Sequence, residues 1–427
     1  MHVWKTRVLY LFAGIGVLFL AGWIVLAVYR AHRPPAPPSG RPLVYPWGSM
    51  NIDDDQDEAD SDLEESIEES VEDEAEGSFD PDRDGKREYS ILVLSGGGSA
   101  GAFGAGLLNG WTASGTRPDF KVVTGVSVGS LQSTFAFLGP EYDDDLREVC
   151  TDYDTDHIYS RRNLLGATLG ESAFDNGPLR ELIERYITPE VLEKVARKHE
   201  RGYRLYVGTS NMDTREFIIW DMGAIASSKR EGKLERYRKV LLASSAIPVL
   251  FPPVYFAVQI DGETYYEMHA DGGTRSQLFL RGFMLDFQDT LEEENLARTT
   301  ETSVYILRNG RAGEESSRDL VGASSVSIAS ATIHSALDLS SESSLFRVYS
   351  LSVRYGIDFN FAAIPDDLFP ELDPVIFDLE IMKGLYDHGF AKAKGGYPWA
   401  KSPPGIDQDE WPPGEVEDPV APAPATK

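Results

Sequence analysis

A serine between two glycines is the first candidate for chemistry in this chain of 427 residues. Ser127 is the centre of Gly125-Val126-Ser127-Val128-Gly129, directly after the apolar run 122–124. At the end of a strand, two glycines allow a tight turn that exposes the serine hydroxyl where a bulkier neighbour would clash. The pattern is typical of acyl transfer, and it predicts Ser127 as the nucleophile.

A glycine-rich run upstream offers backbone donors for the same chemistry. The run is Ser95-Gly96-Gly97-Gly98-Ser99-Ala100-Gly101, and it lies between a predicted strand and a predicted helix. N–H groups without neighbouring side chains, next to the positive end of a helix, stabilise the oxygen that gains charge in a tetrahedral intermediate. The predicted oxyanion hole therefore consists of Gly96, Gly97, Gly98 and Gly101.

The same run also satisfies the Gly-x-Gly-x-x-Gly pattern of dinucleotide-binding proteins. That function also needs an acidic residue that closes the second strand, about 20 residues further on, to hold the ribose. Asp119 has the right separation but precedes that strand, whose end is occupied by the Ser127 turn. A dinucleotide-binding oxidoreductase therefore stays an alternative hypothesis.

A serine nucleophile needs a base, and Asp271 is the candidate. The glycines that follow it, Gly272 and Gly273, let the backbone turn so that the carboxylate can approach another loop. A Ser-Asp-His order could instead be completed by His334 or His388. The histidines are scattered without the spacing of metal ligands, so we expect no metal and no cofactor.

The pattern of apolar residues predicts an α/β domain at 89–400. Strand, turn and helix occur twice in succession at its start, which implies parallel pairing and a layered sheet. Strands are predicted at 89–95, 121–125, 204–209, 217–220, 255–260 and 304–308, and helices at 102–112, 128–138, 177–187, 234–243 and 320–337.

The N-terminus predicts a membrane anchor. Residues 8–28 are 21 residues without a charge, with Lys5 and Arg7 before them and Arg30 and Arg33 after them. About 20 apolar residues are enough for a helix to span a bilayer. We therefore expect one uncleaved transmembrane helix at 1–33 and a single-pass membrane protein. The basic residues are nearly balanced across the helix, so they do not define the side of the catalytic domain.

Charge is concentrated in the segment that follows the anchor. Residues 53–84 hold 18 acidic residues and one arginine, which accounts for −17 of the net charge of −29. With the proline-rich stretch before it, this composition predicts an extended, solvated tether at 34–88, and the proline-rich end predicts a disordered tail at 401–427. No basic patch is visible, so no nucleic-acid partner is expected. A non-catalytic membrane scaffold that uses the acidic tether is the second alternative.

Taken together, the motifs resemble those of patatin-like phospholipases. The glycine run, 125–129 and 271–273 stand in that family's order, and Ser244-Ser245-Ala246-Ile247-Pro248 resembles its loop before the aspartate. The resemblance covers 89–277 and, more loosely, continues to 389. It implies a three-layer α/β/α fold with a mostly parallel central sheet, and a Ser127–Asp271 dyad without histidine. It also implies hydrolysis of lipid acyl esters, with membrane lipid as substrate and no metal.

One position departs from the family. Patatin-like phospholipases usually have arginine or lysine inside the glycine motif, and this chain has Ala100 there. A missing cation weakens contacts to an oxyanion or a phosphate group, whereas the backbone donors stay available. The head-group preference therefore does not follow from the resemblance.

Overall fold

The computed structural model describes residues 14–24, 33–38, 49–51, 66–67, 69–71, 74, 79, 87–162, 170–285, 300–312, 321–323 and 325–406. Its strands are β1 (Ser49–Asn51), β2 (Arg87–Leu94), β3 (Phe120–Gly125), β4 (Ser160–Arg161), β5 (Phe174–Asp175), β6 (Arg204–Asn211), β7 (Glu216–Asp221), β8 (Val254–Ile260), β9 (Glu263–Asp271), β10 (Thr300–Arg311) and β11 (Asp358–Ile364).

A mixed, mostly parallel sheet forms the centre of the domain. Its strand order is β1-β7-β6-β3-β2-β10-β11, and β9 joins it by pairing with β6 and β8. The strands β6, β3, β2, β10 and β11 run parallel to one another, while β7 and β9 are antiparallel to β6. Every residue of β3 and β6 is buried, as expected for strands that are covered on both faces.

Helices flank the sheet on the connections between its strands. They are α1 (Gly101–Ser114), α2 (Val128–Leu138), α3 (Asp143–Thr151), α4 (Thr155–Ile158), α5 (Gly177–Tyr186), α6 (Pro189–His199), α7 (Met222–Ser227), α8 (Lys233–Ser244), α9 (Ser325–Arg354) and α10 (Leu379–Lys394). The arrangement fits the three-layer α/β/α fold that the motifs led us to expect. The parallel strands bring the carboxyl ends of β2 and β3 to one edge of the sheet, where the glycine run and Ser127 follow.

The predicted strands coincide with β2, β3, β6, β7, β8 and β10, whereas β1, β4, β5, β9 and β11 and the helices α3, α4, α6, α7 and α10 were not predicted. The helix predicted at 320–337 is α9, which continues to Arg354 because Leu345 and Val348 on its second half are buried against the domain. The strand β9, which ends at Asp271, was missed because its first half does not alternate between buried and exposed residues. Residues 263–266 are all exposed or partly exposed.

The predicted anchor lies largely outside the described residues. Residues 14–24 are helical and exposed, whereas 1–13 and 25–32 belong to the part of the chain that the structure does not describe. Among the described residues, no helix combines the length and the apolar character needed to cross a membrane.

Part of the predicted tether at 34–88 packs against the domain, in contrast to the expected solvated segment. The side chains of Ile67, Val71 and Phe79 are buried, and Phe79 stacks edge-on against Tyr89 of β2. These three apolar residues interrupt the acidic run, and burial of their surface offsets the cost of ordering the chain.

A buried ion pair holds this part of the tether in place. Lys121, at the start of β3, is fully buried and donates to Glu74 at 2.5 Å and to the Ser70 carbonyl at 2.7 Å. Arg204, at the start of β6, donates to the Ser66 carbonyl through Nε at 2.9 Å. Because Lys121 and Arg204 begin their parallel strands, the acidic segment covers the edge of the sheet opposite to Ser127.

The folded domain also extends past its predicted C-terminal boundary at 400. Ala400 and Phe361 exchange two backbone hydrogen bonds, and Lys401 donates to both carboxylate oxygens of Asp358 at 2.8 Å. The described chain ends at residue 406, so most of the predicted tail, from 407 to 427, lies outside it.

Candidate active site

Ser127 occupies a strained turn between β3 and α2. Its backbone has φ 55° and ψ −129°, a conformation that residues other than glycine rarely adopt and that costs on the order of 1–3 kcal/mol. Gly129 is required because a Cβ there would lie 2.5 Å from the carbonyl oxygens of Leu94 and Ser95. The turn therefore presses against the end of β2, and it places Ser127 directly after β3, as the pentapeptide predicted.

Two serines at the end of α8 hold the turn. Ser244 Oγ accepts from the Ser127 N–H at 3.0 Å and donates to the Gly208 carbonyl of β6 at 2.7 Å. Ser245 Oγ donates to the Ser127 carbonyl at 3.4 Å. The Ser127 N–H is thus already hydrogen-bonded to Ser244 and is not free to bind an oxyanion. Val128 and Gly129 begin α2, and the first N–H groups of a helix have no partner within it.

Asp271 reaches the serine through the register of β6. Gly125, the last residue of β3, pairs with Val207, so β6 continues past the end of β3 to the level of Ser127. Thr209 of β6 pairs with Asp271, the last residue of β9. Two residues that are 144 positions apart in the sequence are thereby brought to the same edge of the sheet, which sequence order alone did not define.

The Asp271 carboxyl is buried and has a strongly raised pKa. Burial raises the pKa of Asp271 to about 7, against hydrogen bonds from the Ser127 side chain and the Gly273 N–H that lower it. The Gly273 N–H donates to Oδ1 at 2.7 Å, whereas Oδ2 has no partner of full hydrogen-bond geometry among the described residues. The Ser127 side chain lies close enough to this carboxyl to lower its pKa. A carboxyl that titrates near neutral pH is suited to general-base catalysis.

The glycine run forms a loop next to the serine turn. A Cβ on Gly96 would lie 3.1 Å from Ser127 Cβ, and Gly98 lines the same pocket as Ser127. Gly98 has φ +54°, and a side chain there would overlap the Pro374 carbonyl. The Gly101 N–H already donates to the carbonyls of Gly98 and Ser99. Of the four predicted donors, Gly101 is therefore not available to an oxyanion, because its N–H is hydrogen-bonded within the loop. Gly101 packs against Val128 of α2.

A buried amide network fixes the glycine loop to the sheet and to α2. Asn309, near the end of β10, donates from its backbone N–H to Ser95 Oγ at 2.8 Å and from Nδ2 to the Ser95 carbonyl at 2.9 Å. The same Nδ2 donates to Gln132 Oε1 at 2.9 Å, and Gln132 Nε2 donates to the Gly101 carbonyl at 2.5 Å. The loop therefore has its shape before any ligand binds.

Ser127 lines an apolar pocket that is partly open to solvent. Around the serine, the lining includes apolar side chains of α2, α3, α5, α8 and α10 and of the segments that follow α5 and α8 and precede α10: Leu131, Phe135, Val149, Leu179, Leu182, Ile183, Ile187, Leu241, Ile247, Phe251, Val375, Phe377 and Met382. None of the described lining residues is charged. The apolar character of this lining suits a hydrocarbon chain.

The two histidines of the alternative triad lie elsewhere. His388 is on α10, with its ring centroid 6.5 Å from that of Phe103, and burial lowers its pKa. His334 is in α9. Neither is among the described residues that line the pocket of Ser127. Within the described ranges, no group of three or more His, Cys, Asp or Glu side chains is placed to hold a metal ion.

The acidic residue of the dinucleotide alternative is also distant. Asp119 precedes β3, at the end of the strand opposite to the glycine loop, and its carboxylate accepts from Tyr203 at 2.7 Å and from Lys198. The carboxylate of Asp119 is therefore too far from the glycine loop to contact a ligand bound there. The hypothesis of a dinucleotide-binding oxidoreductase therefore loses the residue that would hold a ribose.

Three residues near the site were not predicted as functional: Ser244, Gln277 and Asn309. Ser244 belongs to the segment that resembles the family loop before the aspartate, which was a usable signal. Gln277 follows the Asp-Gly-Gly turn by four residues, and Asn309 lies in a strand. Their proximity to the site depends on long-range contacts, for which local spacing carries no signal.

Comparison with known proteins identifies the family of the domain. Residues 92–284 match the family model of patatin-like phospholipases. The chain therefore carries a patatin-like phospholipase domain, as its motifs predicted, and a lipid acyl hydrolase is the activity at the level of the family. The strands β10 and β11 and the helices α9 and α10 lie beyond the matched residues, yet the segment before α10 supplies part of the pocket.

The chain is also similar to a solved structure, VipD from Legionella pneumophila. The similarity covers 72% of this chain and 66% of that chain, with 11% sequence identity and a TM-score of 0.35. No curated protein matches the sequence.

Proposed function

We propose that this protein is a serine hydrolase that cleaves acyl esters of membrane lipids with a Ser127–Asp271 dyad. The observation that carries the proposal is the meeting of three features at one edge of the sheet. They are a serine on a strained turn, a buried carboxyl with a pKa of about 7, and an apolar pocket. The match to the patatin-like phospholipase family supports the class of substrate.

In the proposed first half of the reaction, Asp271 acts as general base and Ser127 Oγ attacks the ester carbonyl carbon. The proton of the hydroxyl passes to the carboxylate of Asp271. The N–H groups of Gly98 and Val128 face the carbonyl oxygen, whose developing charge also interacts with the N-terminus of α2. Collapse of the tetrahedral intermediate releases the alcohol, which takes the proton from Asp271.

The pocket supports a hydrocarbon chain as the acyl part of the substrate. Its lining side chains include Leu182, Ile183 and Phe251, and burial of each CH₂ group of a ligand is worth about 0.8 kcal/mol. A long acyl chain would thus bind more tightly than a short one. Because no described lining side chain is charged, we propose that the pocket binds the acyl chain of the substrate.

The dyad explains how catalysis could proceed without histidine. A serine hydroxyl is a weak nucleophile, and an exposed carboxylate with a pKa near 4 would be a poor base for it. Burial of Asp271 raises the pKa of the carboxyl to about 7, which strengthens it as a base. At neutral pH a substantial fraction of the carboxyl is still ionised.

We further propose that the segment 1–33 anchors the enzyme in a membrane, near its substrate. The apolar run 8–28 motivates this proposal. The full-length protein should stay in the membrane fraction after an alkaline wash. A protein that lacks 1–33 should instead be found in the supernatant. Retention of the truncated protein in the membrane fraction would contradict a single N-terminal anchor.

Covalent labelling tests the proposed function most directly. A fluorophosphonate phosphorylates an activated serine, so we expect one adduct per chain, on the peptide that contains Ser127. The control is Ser133→Ala, because Ser133 is buried on the same helix, donates to the Ser130 carbonyl at 2.8 Å and should leave labelling unchanged. Mass spectrometry of the digested protein locates the adduct.

The scaffold hypothesis makes the opposite prediction. A non-catalytic scaffold would bind lipid vesicles or a protein partner without labelling, and with no release of fatty acid. Labelling at a serine other than Ser127, or a fully unlabelled protein, would overturn the proposed mechanism.

A further inference from the structure

Gln277 lies between the two parts of the candidate site. A Cβ on Gly273 would be 2.5 Å from Gln277 Nε2 and 3.0 Å from Asp271 Oδ1. A Cβ on Gly96 would overlap Gln277 Oε1 and lie 3.1 Å from Ser127 Cβ. The carboxamide of Gln277 therefore fills the space that separates the turn of the base from the glycine loop, next to the nucleophile.

Two buried acceptor oxygens flank Ser127. Gln277 is 8% exposed, and its Oε1 has no hydrogen-bond partner among the described residues. Asp271 is 1% exposed, and the same holds for its Oδ2. Burying an acceptor without a donor is unfavourable, so such groups in a native site point to a ligand or a step in which they are satisfied. A single ligand that bridges both oxygens needs two hydrogens to donate.

We propose that Gln277 Oε1 positions the water that hydrolyses the acyl-enzyme, an inference that rests on the proposed Ser127–Asp271 mechanism. After the first half of the reaction, the acylated Ser127 Oγ has no hydrogen to donate to Asp271. A water molecule donates one hydrogen to Asp271 Oδ2 and the other to Gln277 Oε1, and its oxygen is held beside the ester carbonyl carbon.

Atoms balance in this step. The water oxygen forms a bond to the carbonyl carbon, and one of its protons moves to Asp271 Oδ2. The tetrahedral intermediate then breaks its bond to Ser127 Oγ, which takes the proton back from Asp271. The products are the free carboxylic acid, which carries the second hydrogen of the water, and the regenerated serine hydroxyl.

The same geometry distinguishes water from alcohols. An alcohol acceptor has a single hydroxyl hydrogen, which Asp271 must remove for attack on the acyl-enzyme. It has no second hydrogen for Gln277, so Gln277 assists hydrolysis and not acyl transfer. Gln277 is therefore a residue that determines which acceptor the acyl-enzyme uses.

The test measures the two half-reactions separately in the full-length protein held in detergent micelles. With p-nitrophenyl decanoate, release of p-nitrophenol reports acylation, and intact-protein mass spectrometry reports loss of the acyl group. In Gln277→Met, we expect deacylation to slow about tenfold, the factor for one lost hydrogen bond of ~1.4 kcal/mol, and acylation to stay within about twofold. With methanol present, the ratio of methyl ester to free acid should rise about tenfold.

The matched control is Ser276→Ala. Ser276 is the neighbouring residue, equally buried, and donates to the Leu278 carbonyl at 2.6 Å, so its loss perturbs the same loop without removing the acceptor. Its ratio of transfer to hydrolysis should equal that of the unmodified protein. Should Gln277→Met fail to fold, Gln277→Asn withdraws the carboxamide by one methylene and should shift the ratio in the same direction.

Two results would overturn the inference. One is an equal fall of acylation and deacylation in Gln277→Met, which would indicate a purely structural role. The other is an unchanged ratio of transfer to hydrolysis. Failure of the proposed function looks different, because the unmodified protein would then release no p-nitrophenol and form no acyl adduct on Ser127, and the inference would fall with it.

Discussion

Replacing Ser127 with alanine is expected to lower ester hydrolysis by about four orders of magnitude or more, since loss of the nucleophile leaves only binding and the oxyanion donors. Alanine tolerates the φ of 55° no worse than serine does, and Ser244 Oγ still accepts from the backbone N–H at that position. The fold and its unfolding temperature should therefore be retained. The measurement is release of fatty acid from phospholipid vesicles and from p-nitrophenyl esters by the purified protein.

Ser245→Ala is the control for this substitution. Ser245 contacts the same turn through a 3.4 Å hydrogen bond to the Ser127 carbonyl, so its loss perturbs the turn and keeps the nucleophile. We expect turnover to fall by no more than about tenfold. Full turnover in Ser127→Ala, in protein free of contaminating esterase, would remove Ser127 from the mechanism.

Replacing Asp271 with asparagine is expected to lower kcat/KM by about 10³ to 10⁴, because the amide keeps the shape of the side chain but cannot take a proton. The pH profile supplies a second signature. Burial raises the pKa of Asp271 to about 7, and only the ionised carboxyl acts as a base. The kcat/KM of the unmodified protein should thus rise about tenfold per pH unit below pH 7 and level off above it.

In Asp271→Asn the residual activity should lose this rise through pH 7. His334→Gln and His388→Gln are the controls, since a histidine base would titrate in the same range. Both variants should keep the rate and the profile of the unmodified protein. If either histidine variant is as damaging as Asp271→Asn and loses the rise, the dyad is a triad.

The local sequence was enough to predict the turn that carries Ser127 and the glycine loop. Gly-x-Ser-x-Gly after an apolar run specifies a strand, a sharp turn and a helix within ten residues, so neighbouring residues encode the geometry of Ser127. The mostly parallel sheet also followed from local patterns, because strand, turn and helix recur in sequence. The match to the patatin-like phospholipase family confirms the resemblance drawn from these motifs.

The acidic segment shows where composition misled. Eighteen acidic residues predicted a solvated tether, but Ile67, Val71 and Phe79 are buried on the domain and Glu74 pairs with Lys121. The average charge of a segment does not reveal a buried cation elsewhere in the chain. In the sequence, Lys121 is only the first residue of a predicted strand. The structure shows that its buried ammonium group binds the acidic segment.

The sequence by itself determined which residues have the right chemistry. They are a serine on a tight turn, an aspartate followed by two glycines that let the backbone turn, and a run of glycines with backbone N–H donors. Only the tertiary structure decided that β6 extends past β3 and carries Asp271 to Ser127, and that Gly101 donates within its own loop. It also decided the burial that raises the pKa of Asp271, and the place of Gln277 beside the nucleophile. The physical reason is that strand register, desolvation and close contacts depend on residues far apart in sequence, which interact only after the sheet has formed.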